Sequence, residues 1–166
     1  TGSPAFTAGQ GYLGASGKYV KTGLILNAGT GTRQSIGNST INDVVVSFYS
    51  RTANLSTTRD IGASDGLGQI YSYTKFTDNN SYTGVNSSGA SHATGVPANS
   101  QGFFSIGRTA VNTDYLKRNS TTVVTGSQPS VQLVTTELAA CGFNNAGVFV
   151  GGERQLSCFM VYKNSV

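Results

Sequence analysis

The feature that most constrains this chain is a series of short segments in which polar and apolar residues alternate, each closed by a cluster of turn formers. In residues 42–51, Val44, Val46 and Phe48 fall on one side, and Ser47, Tyr49 and Arg51 fall on the other. A two-residue period belongs to a strand with one buried face. Residues 67–76 repeat it, setting Leu67, Tyr71 and Tyr73 against Ile70, Ser72 and Phe76. Residues 101–109, 113–119, 121–125, 138–143 and 155–162 read the same way. Between them lie 27–31, 62–66, 79–80, 87–89, 126–129 and 144–152, rich in Gly, Asn, Asp, Ser and Pro. Many short strands at this spacing predict an all-β, antiparallel sandwich or barrel. The one helix-tolerant stretch, 137–140, is too short to matter. No internal repeat or linker interrupts the pattern, so residues 1–166 are expected to form a single domain.

Composition narrows the function classes. Eight Phe and eight Tyr supply enough apolar surface to argue against disorder. The net charge is +4, but the 11 basic residues are scattered, and only Lys117 and Arg118 are adjacent. A nucleic-acid footprint needs clustered Lys and Arg, so no nucleic-acid partner is expected. The mildly basic balance suits contact with an anionic surface such as acidic polysaccharide. No segment approaches the roughly 18 apolar residues of a membrane span, and no leader is visible, so no membrane insertion is expected. The chain starts at Thr1 rather than Met, which makes it a piece of a longer or processed protein on this reading.

Most chemistry-bearing motifs lack their context. Gly9, Gly11 and Gly14 match the dinucleotide pattern G-x-G-x-x-G, yet no helix follows and residues 25–40 contain no acid. His92, the only histidine, lies in a polar loop without a nucleophile elbow or zinc spacing. The seven acids are Asp43, Asp60, Asp65, Asp78, Asp114, Glu137 and Glu153, and no two share a strand at the spacing of a glycosidase pair. The chain is therefore not expected to be an enzyme, and no cofactor is expected. Calcium is the one metal to consider, through Asp60 with Asp65, or Asp78 with Asn79 and Asn80; the same residues serve equally as turn caps. The acceptor triplets at Asn38, Asn54, Asn79, Asn86 and Asn119 match N-x-S/T, a pattern common by chance in so Asn-rich a chain.

Sugar binding needs flat aromatic faces beside hydrogen-bonding polar groups. Tyr71, Tyr73 and Tyr82, with Gln69 and Arg51, form the candidate glycan set; the competing reading packs these tyrosines in the core with only their hydroxyls exposed. The cysteines leave two readings open. If Phe143 pairs with Leu156 across 144–155, the same register sets Cys141 opposite Cys158, within reach of a cross-strand disulfide. Two small buried thiols are the other reading.

Three segments, read together, carry a resemblance. Residues 6–24, FTAGQGYLGASGKYVKTGL, are similar to an opening G-Y-x-G-(x)-Y-(x)-T-G strand pair. Residues 42–54, NDVVVSFYSRTAN, resemble the strand that follows, and 102–119, GFFSIGRTAVNTDYLKRN, an F-x-S-x-x-R-T-A-(x)-Y-K-N-G hairpin. Residues 141–162 fit a closing hairpin. In this order they resemble the concanavalin-like (laminin-G-type) jelly-roll domains of tail, fibre and head proteins of tailed phages and of bacterial surface proteins. Asn119-Ser120 departs from the pattern, standing where the turn reads Asn-Gly, which favours a different hairpin turn. The resemblance implies a lectin-like jelly roll at a virion surface or in another extracellular setting. It implies attachment to host-cell polysaccharide or, alternatively, a structural decoration, fibre or adaptor role with other virion proteins or further copies as partners. It gives Arg108, Thr109 and Tyr115 mainly structural roles, with Arg108 anchoring a turn or a neighbouring carbonyl.

Overall fold

The computed structural model describes residues 5–8, 11–15, 17–26, 40–88 and 93–163. His92 lies outside them. The strands in chain order are β1 (Ala5–Thr7), β2 (Gly11–Leu13), β3 (Val20–Lys21), β4 (Val44–Ser50), β5 (Ile61–Ser64), β6 (Gln69–Tyr73), β7 (Ser81–Ser87) and β8 (Ala93–Gly95). They continue with β9 (Gly102–Ala110), β10 (Thr113–Arg118), β11 (Thr121–Gly126), β12 (Ala139–Ala140), β13 (Gly142–Asn145), β14 (Val148–Gly151) and β15 (Gln155–Lys163). Among the described residues there is no helix, and hence none long and apolar enough to cross a membrane.

The strands form two sheets packed face to face as a β-sandwich. One has the order β1-β2-β15-β4-β9-β10-β11; the other runs β14-β13-β5-β6-β7-β8, with β12 bridging β3 and β5. Pairing between strands is antiparallel except where β13 meets β5. Alternation dictates the inner faces. Val44, Val46 and Phe48 of β4 meet Ile61, Ala63, Ile70 and Val85 of the facing sheet, with Phe104, Ile106, Leu116 and Leu138 completing the core. Phe48 and Phe104 stack at 5.8 Å. Each such side chain, buried completely, contributes roughly 1.5–3 kcal/mol. Ile70 and Ser72 point inward and Tyr71 and Tyr73 outward, as the period requires. Phe76 breaks parity, because the chain has left the strand by then, and it packs with the outward Tyr73 at 5.0 Å.

Two expectations are corrected. β13 pairs with β14, Phe143 opposite Val150, and not with the segment containing Leu156. The hairpin closes early at Ala146-Gly147, whose φ values of 48° and 93° give the type I′ twist that matches the flanking strands. β15 then crosses to the other sheet, between β2 and β4, so Cys141 and Cys158 are not cross-strand neighbours. Both are free thiols, Cys141 buried and Cys158 exposed, which also departs from the reading of two buried thiols. The second correction concerns Asn119-Ser120. Both residues have positive φ, 47° and 68°, so this too is a type I′ turn. The hairpin's twist outweighs serine's reluctance, and Asn119 Oδ1 fastens the turn by accepting the Phe103 N–H at 2.9 Å.

Two buried arginines tie the sheets together at opposite ends of β4. Arg154, just before β15, donates from Nε to Asp60 Oδ1 at 3.1 Å and from its terminal nitrogens to the carbonyls of Thr52, Asn54 and Lys75. Asp60 Oδ2 in turn accepts from the Thr74 N–H at 2.6 Å and the Thr74 hydroxyl at 2.8 Å. Arg108, on β9, donates to the carbonyls of Val85 at 2.6 Å, Val111 at 2.5 Å and Gln128 at 2.7 Å. Its Nη2 stands 4.0 Å from Asp114 Oδ2, outside hydrogen-bonding distance. With the Ala110 carbonyl at 3.3 Å, the anchoring role implied for Arg108 is thus filled by four carbonyls.

Candidate functional site

β6 runs between β5 and β7, and its register sets the outer face of this sheet. Tyr71 lies between Gly62 and Gly84, and Tyr73 lies opposite Tyr82. Gly62 is required: its φ is +145°, and a Cβ there would fall 2.2 Å from the Ile70 carbonyl oxygen. Flanked by glycines, the Tyr71 ring sinks to 4% exposure. Edge-to-face contacts then link Tyr71 to Tyr73 (5.8 Å), Tyr73 to Phe76 and Tyr82 (5.0 and 6.2 Å), and Tyr71 to Phe143 (6.5 Å). Such pairs favour the negative ring face against the positive ring edge.

Arg59 completes the cluster. Its guanidinium carbon lies 4.1 Å from the Phe143 ring centre, 4.8 Å from that of Tyr71 and 5.7 Å from that of Tyr73. Three ring faces thus hold one cation. Its Nε is buried and has no hydrogen-bond acceptor. Burial raises the Tyr71 and Tyr73 hydroxyls above the ordinary tyrosine range, although Arg59 pulls both the other way. At the rim the Tyr82 hydroxyl donates to Asp78 Oδ2, which raises Tyr82 and lowers Asp78.

Of the glycan set expected from sequence, Tyr71, Tyr73 and Tyr82 share this outer face. Gln69 is buried, its Nε2 donating to the Ser88 carbonyl at 3.2 Å. Arg51 follows β4 in the opposite sheet, where its backbone N–H donates to the Gln155 carbonyl. The cation actually placed on the rings is Arg59, a lone basic residue in a turn-like run that carried no pattern to mark it.

Each of the three aspartates considered for calcium accepts from protein donors. Asp60 belongs to the Arg154 anchor. Asp65 caps the β5–β6 turn through Leu67 and Gly68 N–H groups and accepts from Gln132 and Thr135 as well. Asp78 caps the turn at Asn80. Among the described residues no group of three or more His, Cys, Asp or Glu side chains is arranged to hold a metal.

A second aromatic face lies outside the seven-stranded sheet. Ser47 and Ser105 join hydroxyls at 2.7 Å, and the Tyr162 hydroxyl reaches Ser47 at 3.2 Å. Tyr115 covers Gly107, where a Cβ would sit 2.5 Å from the Tyr115 hydroxyl oxygen. Tyr49, Met160 and Tyr162 are 38%, 48% and 43% exposed around this floor. A cavity of about 450 Å³, lined by Tyr12, Leu24, Cys141, Leu156, Cys158 and Phe159 among others, opens where β2 leaves β15. Burial pushes the Cys141 thiol up to about 12. No protein-family model matches this sequence, and no curated protein matches it either.

Proposed function

We propose that this chain is a lectin-like module of a virion surface that attaches to host-cell glycan through the outer face of the eight-stranded sheet. The observation that carries the reading is the convergence of Tyr71, Tyr73 and Tyr82 with Arg59 on one outward face. Ring edges and half-buried rings offer apolar surface to the C–H face of a sugar, and tyrosine hydroxyls with a guanidinium offer hydrogen bonds to its oxygens. The concanavalin-like, laminin-G-type resemblance supports both the setting and a jelly-roll arrangement of the sandwich. Binding of the purified chain to a glycan array tests it. A positive signal that Tyr73→Ala and Tyr82→Ala reduce supports it; a flat response across the array, host polysaccharide included, overturns it.

A second reading, a structural decoration, fibre or adaptor domain, is favoured by a different observation. Tyr49 and Met160 are exposed beside Tyr162 on the outer face of β4 and β15, an apolar patch with no described covering. A stable contact through it would bury on the order of 1,000 Å² or more. Sedimentation showing self-association that Met160→Glu and Tyr162→Glu abolish supports this reading, and a monomer at every concentration counts against it.

A further inference from the structure

We infer that the ligand taken by the outer face of the eight-stranded sheet is an acidic sugar, one bearing a carboxylate, sulfate or phosphate, and that Arg59 is the residue that selects it. The inference rests on the glycan-binding reading and specifies its substrate class.

The other described acids already have partners. Asp60 pairs with Arg154, and Asp114 faces Arg108. Asp65 accepts from Gly68, Gln132 and Thr135, Asp78 from Asn80 and Tyr82, and Glu153 from Thr57. Asp43 accepts from the Thr40 N–H and Glu137 from the Gly23 N–H. No described acid pairs with Arg59, although it is the sequence neighbour of Asp60.

A guanidinium carries five N–H donors in a rigid plane. Arg108, Arg118 and Arg154 each place Nε and at least one terminal nitrogen on carbonyl, amide or carboxylate oxygens. Arg51 is exposed, so water serves it. Arg59 alone among the described arginines lies half-buried on aromatic rings, and its buried Nε meets no protein acceptor. Rings satisfy the charge from one side but accept no in-plane N–H. A planar or tetrahedral oxyanion arriving edge-on at the terminal nitrogens supplies in-plane acceptors that the rings lack, and two parallel N–H···O bonds fix its orientation. Because the three rings already hold the side chain, little rotamer freedom remains to be lost on binding. The net charge of +4 draws a polyanion toward the surface before contact.

The test uses the whole chain on an array of bacterial capsular and cell-wall polysaccharides. Each acidic member is printed beside its neutralised form: carboxyl-reduced, desulfated or dephosphorylated. The expected result is binding to at least one acidic member, with a loss of roughly tenfold or more on neutralisation and weakening by added salt. The pair that shows the loss identifies the anion. Arg59→Gln should bind both forms at the neutral level. Arg59→Lys, which keeps the charge but not the fork, should fall between. Thermal unfolding of both variants reports whether they fold, and the comparison of ligand pairs on the unaltered chain stands without them. Equal binding of acidic and neutral forms overturns the acidic-sugar inference and leaves glycan binding intact. Acid preference retained in Arg59→Gln overturns the assignment to Arg59. Absence of binding to every member overturns both the inference and the reading beneath it.

Discussion

The two ends of the sandwich solve the same problem with different completeness. Each end carries a fully buried arginine that spans the sheets, and each arginine faces a fully buried aspartate. At the Arg154 end every charged atom has a hydrogen-bonding partner: the guanidinium meets acceptors on four residues, and Asp60 takes donors on both oxygens. At the Arg108 end the carbonyls are well served, but Asp114 receives only a 4.0 Å approach from Nη2. A buried charge that lacks hydrogen bonds pays its desolvation without full return. The comparison teaches that the Arg154 pair is a true staple, whereas the Arg108 end is held by the arginine and its carbonyls, with Asp114 a weakly engaged counter-charge.

The largest effect expected is at the staple. Asp60→Ala or Arg154→Met leaves an uncompensated buried charge or a set of orphaned acceptors, and should cost about 3–5 kcal/mol in urea unfolding. Asp114→Asn should cost less, about 1–2 kcal/mol, because it removes a charge that has few bonds to lose. Equal losses at the two ends would break the comparison. A double-mutant cycle sharpens it: the coupling of Arg154 with Asp60 should exceed that of Arg108 with Asp114.

Acidity separates the carboxylates by sign. Burial raises Asp114 above its ordinary value despite Arg108. Its contribution to stability is therefore fully present below the unfolded aspartate value and is lost as pH rises through the raised folded one. Asp65, at neither end, is the opposite case: burial would raise it, but the Gly68 and Thr135 donors outweigh that and hold it at about 2. Its contribution is present above about 4 and disappears as pH falls toward 2. Urea midpoints measured across this range should show Asp65→Asn flattening the acid limb and Asp114→Asn flattening the decline above it.

The smallest perturbation probes the Arg154 end directly. The Cys141 carbonyl accepts the Gly152 N–H, and the Asp60 carbonyl accepts the Gly142 N–H, so the buried thiol sits against the staple. A thiol reagent should modify exposed Cys158 at once and Cys141 only when that end opens. Cys158→Ser should change stability by no more than about 0.5 kcal/mol. Asp60→Asn should speed Cys141 labelling and Asp114→Asn should not, once both are corrected for global stability; equal acceleration would mean that the ends open together.

Alternation was the legible part of this molecule, because a strand's period is local. It placed Val44, Val46 and Phe48 in the core and separated Ile70 and Ser72 from Tyr71 and Tyr73. Turn choice was less legible. Residues 144–152 hold several glycines, and only tertiary pairing chooses Ala146-Gly147 as the corner. Ser120 adopts a conformation that its side chain disfavours because the twist of β10 and β11 asks for it. The site was half visible: three tyrosines follow from period and register. Arg59 does not, since what singles it out is the placement of Asp60, Arg154 and Phe143, which lie as far as 95 residues away in sequence.

The position of β15 governs how this chain comes off a ribosome. Residues 155–163 are the last described strand to be synthesised, yet they fill an interior place between β2 and β4. Until they emerge, the edge of β4 that will pair with them stays open, with Val44, Val46 and Phe48 along it. Such an edge is a template for wrong pairing between neighbouring nascent chains. Closure of the seven-stranded sheet therefore waits on residues 155–163, and any truncation reaching into them strands the product in that sticky, unclosed state.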